Sequence, residues 1–136
     1  MFALKMKMKD FIKITIVFAI LVSLDLVYLG VIQKQFITRF FTTINRGPMK
    51  LQLVPGLLSW ALLAWGLYHF VLSRPNSSWK DAALFGLIVY GVYDMTNLAT
   101  IAGWTWQFAV ADMIWGAVLM TIVALIFRSV PKGITR

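Results

Sequence analysis

The sequence predicts an all-α protein, a four-helix transmembrane bundle with a short amphipathic interfacial helix after the first span. Three observations carry that prediction. Of the 136 residues, 60% are hydrophobic and only 13% charged, whereas a soluble domain is near 45–50% apolar and about 25% charged. Four apolar stretches are each long enough to cross a bilayer, which takes about 20 residues at 1.5 Å rise. The basic residues, which give a formal net charge of +8, gather in the flanks and loops of those stretches.

The first span is expected near residues 11–32. Lys5, Lys7 and Lys9 precede it as they would a secretory signal. Its apolar run is too long for one, and no small-residue cleavage pattern follows, so a retained helix is expected. In the next segment Phe36, Ile37, Phe40, Phe41 and Ile44 fall at i, i+1, i+4, i+5 and i+8, a helical stripe. Lys34, Thr38, Arg39, Thr42 and Arg46 lie mostly off that stripe, and Gly47-Pro48 ends it. Two readings are open: a helix lying in the outer interface with its basic residues toward lipid phosphates, or an extension of the first span. The remaining spans are expected near residues 53–72, 81–100 and 105–127, and residues 1–136 form a single domain.

Four spans place both termini and the 73–80 loop on one side of the membrane. That side carries Lys5, Lys7, Lys9, Lys13, Arg74, Lys80, Arg128, Lys132 and Arg136, against Lys34, Arg39, Arg46 and Lys50 on the other. The excess predicts N-in, C-in topology. With the basic residues committed to lipid headgroups and no aromatic-interleaved basic surface outside the spans, nucleic acid is excluded as a partner. The absence of cysteine removes disulfides and thiolate chemistry.

All five acids are Asp, and Asp25, Asp94 and Asp112 lie within spans. An acid at a helix centre costs about 2.5–3.5 kcal/mol on insertion scales, so intramembrane carboxyls point by default to function. Because span directions alternate, each of the three sits roughly 9–11 Å below the same outer boundary. Helical spacing adds Tyr90, Tyr93 and Asn97 to the sector of Asp94, Trp115 and Gly116 to that of Asp112, and Tyr28 to that of Asp25. Ser59 and Trp60 fall at the same level of span two. Tyrosine hydroxyls, indole N–H groups and an asparagine amide are the donors a buried carboxylate needs. Gly86 and Gly116, with Ala82 at small-xxx-small spacing from Gly86, allow close helix approach. No Lys or Arg lies at that depth, and His69 falls near the opposite end of its span. Three carboxylates without a cation cannot all stay charged in low dielectric, so the layer must share protons, bind a cation or open onto water. The alternative is structural: protonated aspartates bonding between helices, at about 0.6 kcal/mol each. Trp79, Trp104 and Trp106, at span ends, are expected to be interfacial belt residues, and Trp60 and Trp65 are expected to pack rather than to cage a ligand.

The acids also carry a resemblance. Leu24-Asp25-Leu26-Val27-Tyr28-Leu29-Gly30 is similar to the L-D-x-x-W-L-G element of a family of small bacterial membrane proteins, domain of unknown function 2177. Tyr93-Asp94-Met95-Thr96-Asn97-Leu98-Ala99-Thr100 resembles its Y-D-x-T-N-L-A-T signature, and Ala111-Asp112-Met113-Ile114-Trp115-Gly116 its D-x-x-W-G element. The chain departs from the pattern at Tyr28, where Trp is usual, and in the basic, phenylalanine-rich stretch after the first span. The resemblance implies a four-helix membrane domain and supplies no activity.

Three functions compete at this point. The leading one is a binding or transport-like protein whose acids hold protons, a small cation or a polar ligand. The second is an intramembrane enzyme that modifies lipid, with the aspartates sharing acid and base work; no histidine pair, activated serine or metal-ligand spacing supports it, and its catalytic residues are unknown. The third is an accessory or scaffold subunit whose acids meet a basic helix of a membrane protein partner. The bilayer is the one partner common to all three. No motif for a metal, nucleotide or haem is present, so no cofactor is expected.

Overall fold

The computed structural model describes residues 7–44, 46 and 52–135, the side chains of residues 44 and 135 excepted. Lys5, Lys50, Arg136 and the Gly47-Pro48 stop signal lie outside the described residues. Among the described residues six helices follow one another: α1 (Met8–Val27), α2 (Lys34–Ile44), α3 (Leu53–Leu67), α4 (Trp79–Thr100), α5 (Trp106–Ser129) and the one-turn α6 (Lys132–Thr135). Both α1 and α3 run on into a π-helical turn, Tyr28–Ile32 and Tyr68–Leu72. With those turns included, four helices are long and apolar enough to span a membrane, Met8–Ile32, Leu53–Leu72, Trp79–Thr100 and Trp106–Ser129.

Local chemistry sets the ends. Ser78 and Asp81 form a capping box at the start of α4: Asp81 Oδ2 accepts from the Ser78 backbone N–H at 2.6 Å. The third span therefore begins at Trp79, and Asp81 works as a cap rather than as the first apolar position. Thr105 caps α5 by accepting from the Phe108 N–H at 3.2 Å, which puts it just outside the helix. Between them the chain reverses through Ile101–Trp104, closed by the Trp104 N–H on the Ile101 carbonyl at 3.2 Å. Gly103, the third residue of this turn, has φ 90°, where a side chain would be strained.

The helices pack around an apolar core that includes Leu21, Leu67, Leu119 and Met120, with the three aspartates also buried. Along α1, Val17, Leu21, Asp25 and Tyr28 form one buried stripe. Leu26, Val27, Leu57, Leu58, Leu62, Val92 and Ile114 are exposed on the perimeter, a surface suited to hydrocarbon and not to water. The most extensive pairing is α4 against α5, and α1 packs on both α3 and α5. Gly86 and Gly116 make the α4–α5 contact possible: a Cβ on Gly86 would collide with the Gly116 carbonyl, and one on Gly116 would lie 2.6–2.7 Å from Tyr90 atoms.

Two links tie one end of the bundle together. Tyr68 donates to Asp10 Oδ1 at 2.7 Å, joining α1 to the end of α3. Arg128 donates to both the carbonyl and hydroxyl of Ser77 at 2.9 Å, joining α5 to the α3–α4 loop. At the other end α2 turns its half-buried stripe toward the bundle. Phe36 stacks on Phe108 with centroids 3.9 Å apart, and Phe40 meets Trp104 edge-on at 5.1 Å. Its Lys34, Thr38, Arg39 and Thr42 are exposed. The aromatic stripe predicted from spacing is thus spent at least partly on protein, because the α4–α5 turn presents aromatic rings beside it.

Candidate functional site

Asp25, Asp94 and Asp112 are all buried, at 6%, 0% and 6% exposure, and all lie toward the end of the bundle that carries α2 and the α4–α5 turn. Their surroundings differ. Asp25 Oδ2 accepts the indole N–H of Trp60 on α3 at 2.9 Å, and Oδ1 accepts that of Trp115 on α5 at 3.0 Å. The Tyr90 hydroxyl on α4 makes a third, longer bond to Oδ1 at 3.4 Å. Three helices thus deliver one donor each to a carboxylate on the fourth. Together these bonds leave neither oxygen bare.

Asp94 and Asp112 form the contrasting unit. Their carboxyls are close enough for one to hydrogen-bond the other if a proton is present, and the Tyr28 hydroxyl lies beside Asp112. Asp94 Oδ1 accepts the Trp104 indole N–H at 3.1 Å, while Oδ2 is buried without a hydrogen-bond partner. The charged groups acting on Asp112 are Asp94 and Asp25, with no Lys or Arg among them. Two unit charges about 4 Å apart repel by about 4 kcal/mol at an effective dielectric of about 20, against about 1 kcal/mol in water. Two ionised carboxyls side by side in this setting are therefore costly.

Tyr28 connects the two units. Its ring lies flat on Trp115, centroids 4.3 Å apart at 6°, and its oxygen accepts from Gln33 Nε2 at 2.6 Å. The π-helical turn makes that last bond possible. Gln33 bonds back to Tyr28 through the backbone as well, N–H to carbonyl at 3.0 Å, so residues five apart face the same way.

The structure brings together Asp25, Tyr28, Trp60, Tyr90, Asp94, Asp112 and Trp115 of the residues expected from sequence. Three others make no hydrogen bond to the aspartates among the described residues. Ser59 is exposed and donates to the Gly56 carbonyl at 2.8 Å, because it points off the opposite side of α3 from the acids. Tyr93 is 56% exposed, its ring edge-on to Trp104. Asn97 is half-buried with its Nδ2 unpartnered. The three aspartates do not form one ligand set either: among the described residues no group of three or more His, Cys, Asp or Glu side chains could hold a metal ion. His69 is exposed and stacks on Trp65 at 5.3 Å, at the end of the bundle away from the acids.

Two participants escape the sequence reading. Trp104 is expected as an interfacial belt residue, yet the tight turn at Gly103 folds it back onto Asp94; Trp79 and Trp106 are 51% and 66% exposed at helix starts. Gln33 is invisible to an i, i+4 search because a π-helical turn shifts it to i+5. The signal that finds Trp104 is its place in a four-residue turn beside a helix whose acid lies under two turns away.

A family model described as "Predicted membrane protein (DUF2177)" matches residues 10–128. No curated protein and no solved structure matches the chain.

Proposed function

The chain belongs to the DUF2177 family of predicted membrane proteins, and from that premise we propose that it binds a single positive charge, a proton or a small monovalent cation, between Asp94 and Asp112 inside the bilayer. The observation that carries this reading is the Oδ2 atom of Asp94, fully buried, next to a second carboxyl and, among the described residues, without a donor or a basic side chain beside it. A carboxylate left so in low dielectric is strongly disfavoured, whereas one bound charge restores balance. Asp25, already holding three donors, supports the bundle and is not the binding group. Tyr28, Tyr90, Trp104 and Trp115 form the frame.

The excess of Lys and Arg at the end that carries the termini supports N-in, C-in topology, which puts the site in the non-cytosolic half of the membrane.

Charge uptake tests the reading. Purified protein in nanodiscs is titrated with acid, and separately with NaCl, KCl and methylammonium chloride, beside the Asp94→Asn/Asp112→Asn double variant. In one of these titrations the wild type takes up positive charge that the double variant does not. Equal uptake by both proteins in all of them defeats the proposal.

A further inference from the structure

Resting on the reading above, the direction of each hydrogen bond around the pair identifies the bound charge and two residues that position it. We infer that the ligand is one proton, shared between Asp94 Oδ2 and Asp112, and that Gln33 and Tyr28 form the positioning limb that fixes it there. The chain of donors reads inward from both ends. Gln33 Nε2 can only donate, so at 2.6 Å the Tyr28 oxygen is the acceptor and the Tyr28 proton is free for Asp112 beside it. From the other end the Trp104 indole, also only a donor, occupies Asp94 Oδ1 at 3.1 Å. What is left is Asp94 Oδ2, bare and fully buried. One proton between that atom and the Asp112 carboxyl satisfies both groups, with Trp104 on the Asp94 side and the Tyr28 hydroxyl beside Asp112, and no donor faces a donor.

A metal cation fits less well. Even monovalent ions replace a hydration shell with several oxygens, and hard divalent ions take six or more. The described residues offer two carboxyls and no third acidic or imidazole ligand close enough. The titratable groups facing the pair are Asp25 and Tyr28 from α1 and its π-helical turn and Tyr90 and Tyr93 from α4. Trp60 of α3 and Phe36 of α2, on the remaining elements, do not titrate. None of these groups supplies a positive charge.

The test is infrared spectroscopy of the full chain in nanodiscs at neutral pH, reading the carbonyl band of a protonated carboxylic acid. The wild type shows one such band. Asp94→Asn abolishes it, and so does Asp112→Asn, whose new amide donates to Asp94 Oδ2 in place of the shared proton. Tyr28→Phe keeps the ring on Trp115 and removes only the hydroxyl, and Gln33→Leu removes only the amide near the bundle end. Both keep the band but shift its frequency in the same direction, Gln33→Leu by less, while helix content stays at wild-type level. A purely structural role for Tyr28 or Gln33 changes stability and leaves the frequency alone; a band unmoved in both variants overturns the positioning limb. No band in the wild type, with retention of one sodium or potassium ion that the double aspartate variant lacks, overturns the proton while sparing the charge-binding pair. No band and no ion overturns both.

Discussion

Trp104 reaches back over the α4–α5 turn and donates its indole N–H to Asp94 Oδ1, 3.1 Å away. That bond is the only one Asp94 receives among the described residues, since its other oxygen has no partner. Trp104→Phe preserves an aromatic ring against Phe40 and Phe108 and deletes the donor. The expected loss is about 1–3 kcal/mol, the range for stranding a buried acceptor. Trp106→Phe, at a position 66% exposed, serves as the control and stays within about 0.5 kcal/mol. Equilibrium unfolding in detergent micelles measures both.

The two kinds of aspartate respond oppositely to the same exchange. Asp25→Asn turns one acceptor into an N–H₂ group that must face an indole N–H or a hydroxyl, so it destabilises by about 3 kcal/mol or more. Asp94→Asn retains an oxygen for Trp104 and offers an N–H toward Asp112, so it stays within about 1 kcal/mol of the wild type or exceeds it. Thermal unfolding of the two variants side by side checks the ranking, and a larger loss for Asp94→Asn contradicts it.

Glycine substitutions separate close contact from open surface. Gly86→Ala pushes a methyl into the Gly116 carbonyl where α4 crosses α5, and the expected cost is about 1–3 kcal/mol, as for other overpacked interiors. Gly30→Ala meets nothing within 4 Å and gains up to about 0.5–1 kcal/mol from the stiffer backbone. Melting temperatures in one detergent give both signs in a single experiment.

At the far end of the bundle, Tyr68 and Asp10 make one bond of 2.7 Å between α3 and α1. Tyr68→Phe is expected to cost about 0.5–1.5 kcal/mol. In a double-mutant cycle with Asp10→Asn the coupling energy matches that figure, so the double variant is little worse than the singles. Strict additivity contradicts a direct bond.

Much of the bundle was legible because bilayer physics writes it into the order of residues. The spans expected at 11–32, 53–72, 81–100 and 105–127 coincide with helices to within a few residues, but helical phase grouped Trp115 with Asp112 and Tyr90 with Asp94, whereas both bond to Asp25. Depth and phase do not, however, give rotation about each helix axis. Ser59 and Trp60 are adjacent, and only Trp60 turns inward; Tyr93 and Asp94 are adjacent, and only Asp94 does. A tryptophan at a span end reads as a belt residue whether or not its turn folds inward, which hid Trp104. An i+5 contact needs a local change in helical pitch that no hydrophobic period announces, which hid Gln33. The split of the aspartates into a saturated one and an unsaturated pair likewise depends on such rotations.

The three donors that hold Asp25 have a consequence in time. Trp60, Tyr90 and Trp115 all come later in the chain than the carboxylate they satisfy. During synthesis the first helix therefore emerges with an acid that hydrocarbon rejects by up to about 2.5–3.5 kcal/mol, and nothing yet made can shelter it. Its stable insertion has to wait for the last helix. Ribosome-bound chains truncated before Trp115 should consequently leave the first helix more easily extracted from the membrane than full-length chains do.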